Sequence, residues 1–132
     1  MQTKDSAVAS AFRLAENNEV NLSSKQISDN FINEIVNNLK KYPSTRTIDL
    51  SNNKITDEGI LHLAKGIADN CQLLTLNLAN NKFTEKCIEP LAATLRVLKN
   101  LKVLDLQGNA ITNRVAKNKI KNVLTWVDIT FW

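Results

Sequence analysis

Few residues in this 132-residue chain have the types and spacing for chemistry. His62 is the single histidine, and Cys71 and Cys87 are the two cysteines. Nucleophilic catalysis needs a base brought to a nucleophile. The 28-residue register developed below instead puts His62 in line with Glu34, Pro90 and Asn118, at a solvent-side helical position. No CxxC pair or His/Cys cluster is present, so the sequence points to no metal. Gly59, Gly66 and Gly108 form no phosphate-cradling loop, and no cofactor is expected. These residues do not read as an enzyme.

The carboxylates are more informative, because they recur in columns. One column is Asn21, Asp49, Asn77, Asp105, Thr130; a second is Glu19, Thr47, Thr75, Val103, Asp128. A third is Asn18, Arg46, Leu74, Lys102, Val127. If each set sits on adjacent strands, the acids outnumber the bases on one face. Asp49 and Asp105 would lie two strands apart, about 10 Å, too far to share a proton. Two readings stand: a plain solvated sheet surface, or a mildly acidic protein-binding face. In the second, Arg46, Asp49, Leu74, Asn77, Lys102 and Asp105 make the contact, with Leu74 as its apolar point.

What must position these columns is a repeat. Leu73–Thr84 reads L-x-x-L-x-L-x-x-N-x-F, with Leu76 and Leu78 two apart as strand residues sharing a face. The phrase recurs 28 residues earlier as Ile48, Leu50, Asn53, Ile55, and 28 later as Leu104, Leu106, Asn109, Ile111. A weaker copy is Val20, Leu22, Ile27, with Lys25 in the Asn position. Ser28, Thr56, Thr84 and Thr112 form a hydroxyl column suited to helix N-caps. Asp29, Asp57 and Glu85 follow three of them, where negative charge suits a helix dipole. Apolar pairs then appear at i, i+4: Ile35/Leu39, Leu63/Ile67 and Leu91/Leu95. The fourth helix offers Lys119 and Val123, with Ile120 filling in, and so predicts a less covered helix.

This pattern and period resemble the leucine-rich repeat family, in its ribonuclease-inhibitor-like type. The resemblance implies an α/β solenoid, a short right-handed β-α superhelix, with about five parallel strands concave and helices convex. Strands need about 4.8 Å of width and helices about 10 Å, so the helical side must fan outward. It also implies that Asn53, Asn81 and Asn109 form a ladder bonding the turns that leave the strands. One domain over residues 1–132 is expected. Residues 1–16 form a capping helix, with Ala7, Val8 and Ala11 in the core register. Four repeats follow over 17–125, the last shortened by three residues, and 126–132 forms a terminal strand. Trp126, Phe131 and Trp132 there read either as a plug over the core or as an exposed edge. Such an edge can add to a partner's sheet or form a homodimer through the C-terminal strand.

The bulk properties restrict function further. Net charge is +4, milder and less clustered than a dedicated nucleic-acid domain shows. Arg114, Lys117, Lys119 and Lys121 make the last helix basic. That reads as a solvated face, or as contact with an acidic partner, RNA or an anionic membrane surface. The polar N-terminus suggests no signal peptide, and no stretch approaches the ~20 apolar residues of a membrane span. Two cysteines suit reduced thiols in a cytoplasm. The family resemblance implies a protein-binding module. Ran GTPase activators carry similar repeats with a loop arginine, which makes regulation of a small GTPase the alternative, with Arg46 as the candidate. Bacterial ubiquitin ligases carry them beside a catalytic domain for which this chain has no room. The Asn/Lys-rich composition is also similar to short repeat effectors of intracellular pathogens such as Legionella, delivered into a host cell.

Overall fold

The computed structural model describes residues 6–69 and 72–131. Helix α1 (Ala7–Arg13) leads into β1 (Glu19–Asn21). Then come α2 (Ile32–Lys41), β2 (Thr47–Asp49), α3 (Asp57–Ile67) and β3 (Thr75–Asn77). Helix α4 (Ile88–Leu95), β4 (Val103–Asp105), α5 (Arg114–Val123) and β5 (Asp128–Thr130) complete the order. The strands form one parallel sheet in the order β1-β2-β3-β4-β5. The register repeats residue for residue: Val20, Ile48, Leu76, Leu104 and Ile129 form one row. This is the α/β solenoid the spacing predicts, with the sheet lining the inner side and the helices the outer.

Each strand row supplies two inward residues, and each following turn supplies a third. Ile48 and Leu50 with Ile55, Leu76 and Leu78 with Phe83, and Leu104 and Leu106 with Ile111 are all buried. Ile35/Leu39, Leu63/Ile67 and Leu91/Leu95 close the core from the helical side, and the whole forms one continuous cluster. At about 1.5–3 kcal/mol per fully buried large side chain, this shared spine is the main stabilising term.

The two end helices depart from the expected register by one residue. In α1 the buried pair is Val8/Phe12, not Ala7/Ala11. In α5 the covered residues are Lys117 and Ile120, with Leu124 at its end, not Lys119 and Val123. Lys119 is exposed and pairs with Glu89 at 2.9 Å. The step from α5 to β5 is three residues shorter than in the other coils, so α5 turns to bring Ile120 and Leu124 inward. Trp126 belongs to the turn before β5, not to the strand, and its Nε1–H donates to the Leu98 carbonyl at 3.2 Å. Phe131 packs on the end of the core. Lys4, Cys71 and Trp132 lie outside the described residues.

Candidate functional site

The register sets three of the six candidate residues on adjacent strands, and the other three directly precede those strands. Asp49, Asn77 and Asp105 occupy neighbouring positions in one row. Arg46, Leu74 and Lys102 stand two places before each strand's central residue and are themselves linked. The Arg46 carbonyl accepts from Leu74 N–H at 2.7 Å, and the Leu74 carbonyl accepts from Lys102 N–H at 2.7 Å. Arg46 and Lys102 are exposed, and the other four are half-buried. The acids Glu19, Asp49, Asp105 and Asp128 thus lie on the strands of one sheet, and the bases Arg46 and Lys102 just before β2 and β4.

The middle row carries a structural duty that the sequence columns did not disclose. Asn21 Oδ1 accepts from Ser23 N–H, Asp49 Oδ1 from Ser51 N–H, Asn77 Oδ1 from Ala79 N–H, and Asp105 Oδ1 from Gln107 N–H. Each is an Asx turn that bends the chain out of its strand. Asp or Asn serves this equally, so the recurrence of these two types follows from the turn. What remains free to vary is charge. Asp49 Oδ2 has no protein partner among the described residues, whereas Asp105 Oδ2 takes the Gln107 side-chain amide at 3.0 Å.

The structural Asn residues lie on the adjoining turns. Asn81 Oδ1 accepts from Ile55 N–H in the preceding coil at 3.1 Å, while its Nδ2 donates to the Leu50 and Leu78 carbonyls. Asn53 and Asn109 repeat the arrangement one coil earlier and one later. One carboxamide, with donor and acceptor on the same plane, joins two coils. The residue before each of these Asn is left-handed in φ, at Asn52 (58°), Asn80 (57°) and Gly108 (74°), as is Ser24 (53°) before Lys25 in the first coil. Asn and Gly are the residues that tolerate this region, a column the sequence reading passed over.

The hydroxyl column works differently from the expectation. Thr56 and Thr84 make their main bonds across coils. Asp29 takes the Thr56 N–H at 2.9 Å and its hydroxyl, and Asp57 takes the Thr84 N–H at 2.7 Å and its hydroxyl. Thr84 also accepts from Lys86 N–H at 3.2 Å, but Ser28 and Thr56 make no side-chain cap. Asn113, not Thr112, caps α5, accepting from Val115 N–H at 2.8 Å.

His62 is exposed beside Glu58 and Asp29 in a shallow depression. Cys87 is buried, and its thiol is pushed up to about 12 by burial, then by the charge and hydrogen bond of Asp57. Its Sγ–H donates to the Thr84 carbonyl at 3.2 Å. Among the described residues, no three His, Cys, Asp or Glu converge as metal ligands, and no helix is long and apolar enough to cross a membrane. On α5, Lys117 lies under Phe131, its Nζ 5.5 Å from the ring, with Lys121 Nζ at 5.6 Å.

A leucine-rich repeat model matches residues 46–64 and 97–114, and a second leucine-rich repeat model matches residues 72–93. No curated protein matches the chain. Among solved structures, it superposes on leiomodin-1 actin-binding site 2 with a TM-score of 0.78 at 18% identity, covering 96% of this chain and 77% of that one. A leucine-rich repeat protein of Leptospira interrogans gives 0.48 at 27% identity, over 71% of this chain and 27% of that one. Internalin C2 of Listeria monocytogenes gives 0.48 at 20% identity, over 85% and 51%. The chain therefore spans much less than two thirds of either bacterial protein.

Proposed function

The chain is an α/β leucine-rich repeat solenoid, and from that premise we propose that it is a non-enzymatic module holding a partner protein on its inner sheet face and adjoining loops. The observation that supports this is the register, which sets Asp49, Asn77 and Asp105 side by side on three adjacent strands, with Arg46, Leu74 and Lys102 linked in the segments that lead into them. Five three-residue strands, about 4.8 Å apart and about 10 Å long, make a sheet of ~200 Å², about a quarter of the ~800 Å² a standard partner surface needs. The loops carrying Asn53, Asn81 and Asn109 must share the contact. We read the repeat as the ribonuclease-inhibitor type, because a helix follows each of β1 to β4 within a 28-residue unit. For the setting we infer a bacterial effector in a host cytoplasm, on the support of the Asn/Lys-rich composition.

The Asx turns dictate the test. Asp49→Asn with Asp105→Asn removes both charges and keeps both turns, since Asn does the same job at positions 21 and 77. Partners captured by the wild-type chain from host lysate should bind this variant at least tenfold more weakly, and Leu74→Thr should weaken them further. Unchanged binding by both variants would remove the site assignment. Purified actin is a defined first probe, because the leiomodin-1 domain of similar fold is an actin-binding site.

A further inference from the structure

Resting on the reading of the inner sheet face as a binding surface, we propose that its partner is an α-helix laid across β2, β3 and β4, basic along one flank and acidic along the other. Thr47 and Asp49 stand on either side of buried Ile48, so both turn away from the core. The register repeats this on β3 and β4. Thr47, Thr75 and Val103 therefore make a low floor of half-buried, β-branched side chains. Asp49 and Asp105 border that floor where their strands end. Arg46 and Lys102 border it where the same strands begin, with half-buried Leu74 between them. Asp49 Oδ2 and the exposed charges of Arg46 and Lys102 have no protein partner among the described residues. The face is thus a floor between an acidic row and a basic row.

The dimensions choose the occupant. From Arg46 to Asp49 is about 10 Å of strand. A helix with its side chains is about 10–12 Å across, so its two flanks reach both rows at once. Within each row the charges stand two strands apart, again about 10 Å. Helix positions i and i+7 share a face and lie about 10.5 Å apart. An extended segment laid the same way returns to one face at about 6.7 Å and then about 13.4 Å, and so misses the second charge of each row. Lysines at i and i+7 of the helix meet Asp49 and Asp105. Glutamates at i+2 and i+9, on the other flank, meet Arg46 and Lys102. Small apolar residues at i−1, i+3 and i+6 face the floor and Leu74. Exchanging the two flanks fits equally once the helix turns end for end, so the placing of the charges sets its direction.

The probe is an alanine-based peptide of about 20 residues, long enough to be helical alone, with those two lysines and two glutamates and a leucine at i+3. Fluorescence anisotropy reads its binding to the full chain. A second peptide of the same composition exchanges the charges at i+7 and i+9. In either direction, each row then meets one charge of its own sign. The wild-type chain should bind the exchanged peptide at least tenfold more weakly than the first, and a version with a central proline should bind as weakly. Arg46→Glu with Lys102→Glu makes both rows acidic and leaves the main-chain bonds of the two positions in place. Each peptide then finds two matched and two mismatched charges, so this variant, with circular dichroism matching wild type, should bind the two peptides equally. No binding of the first peptide at about 1 mM, equal binding of both by the wild-type chain, or a preference that survives in the variant would overturn the proposal. If the peptides fail while Asp49→Asn with Asp105→Asn still weakens a captured partner, the helix falls and the binding face stands. If that variant also changes nothing, both fall.

Discussion

Asp57 holds Thr84 across the step between two coils, one carboxylate oxygen accepting its N–H at 2.7 Å and the other its hydroxyl. Asp29 and Thr56 repeat this one coil earlier. Glu85 makes no such bond to Thr112 among the described residues; its side chain is one methylene longer and the clamp is lost. Hydrogen bonds to a charged group contribute about 1.5–3 kcal/mol each. Asp57→Ala should therefore cost about 2–4 kcal/mol in urea unfolding at neutral pH, while Glu85→Ala stays within about 0.5 kcal/mol.

Cys87 makes stability depend on alkaline pH. Its thiol, ordinarily 9.0, titrates at about 12 in the folded chain, because burial and then Asp57 disfavour the thiolate. The folded value is raised, so this contribution is complete below pH 9.0 and is lost as pH rises toward about 12. In that window stability should fall by about 1.4 kcal/mol per pH unit relative to Cys87→Ala. The comparison by urea unfolding at several pH values, in a Cys71→Ser background, isolates the one thiol. A wild-type curve parallel to that of Cys87→Ala would contradict it.

Asn81 serves two coils with one side chain, so its loss is felt on both sides. Asn81→Ala leaves Ile55 N–H without its partner inside the core and takes one of two donors from the Leu50 carbonyl, which keeps Asn53 Nδ2. We expect about 3–5 kcal/mol of destabilisation, at the upper end for a point substitution. Hydrogen exchange should show the Ile55 amide losing protection while that of Phe83, held by Asn109, keeps it.

Gly108 is the one glycine in the left-handed column, with φ at 74°. A Cβ there would stand 1.9 Å from Asn80 Oδ1. Gly108→Ala should cost about 1–3 kcal/mol, part from the backbone region and part from the contact. Adding Asn80→Gly should recover the contact part and leave about 1 kcal/mol. Full recovery would mean that the backbone contributes nothing.

The rows were legible because one repeat length copies one local problem, and hydrophobic alternation solves it the same way each time. Val20, Ile48, Leu76 and Leu104 could be aligned before any coordinates. Bonds that run between coils were less visible. Thr56 and Thr84 look like helix caps within their own segment, and only stacking shows that their partners are Asp29 and Asp57, 27 residues back. The acidic row likewise suggested a surface, while the structure gives Asp49 and Asp105 turn-forming bonds as well. Asn52, Asn80 and Gly108 share a backbone region rather than a chemistry, so no residue-type column announced them. The ends escaped because periodicity fails there: a shortened connection rotates α5, and register arithmetic cannot sense rotation.

That rotation is itself testable. If the 28-residue arithmetic held through α5, Lys119 would occupy the place of Leu91 and Ile120 that of Ala92. The structure has Ile120 fully buried, while the Lys119 and Glu89 side chains are 53% and 73% exposed. An exposed ion pair contributes little, because water already solvates both charges and salt screens them. Lys119→Ala should change stability by less than about 0.5 kcal/mol. Ile120→Ala opens a cavity where α5 meets the core and should cost about 2–5 kcal/mol. Urea midpoints of the two variants at equal m-value decide between the registers. A Lys119 effect as large as that of Ile120 would put the lysine back on the inner face.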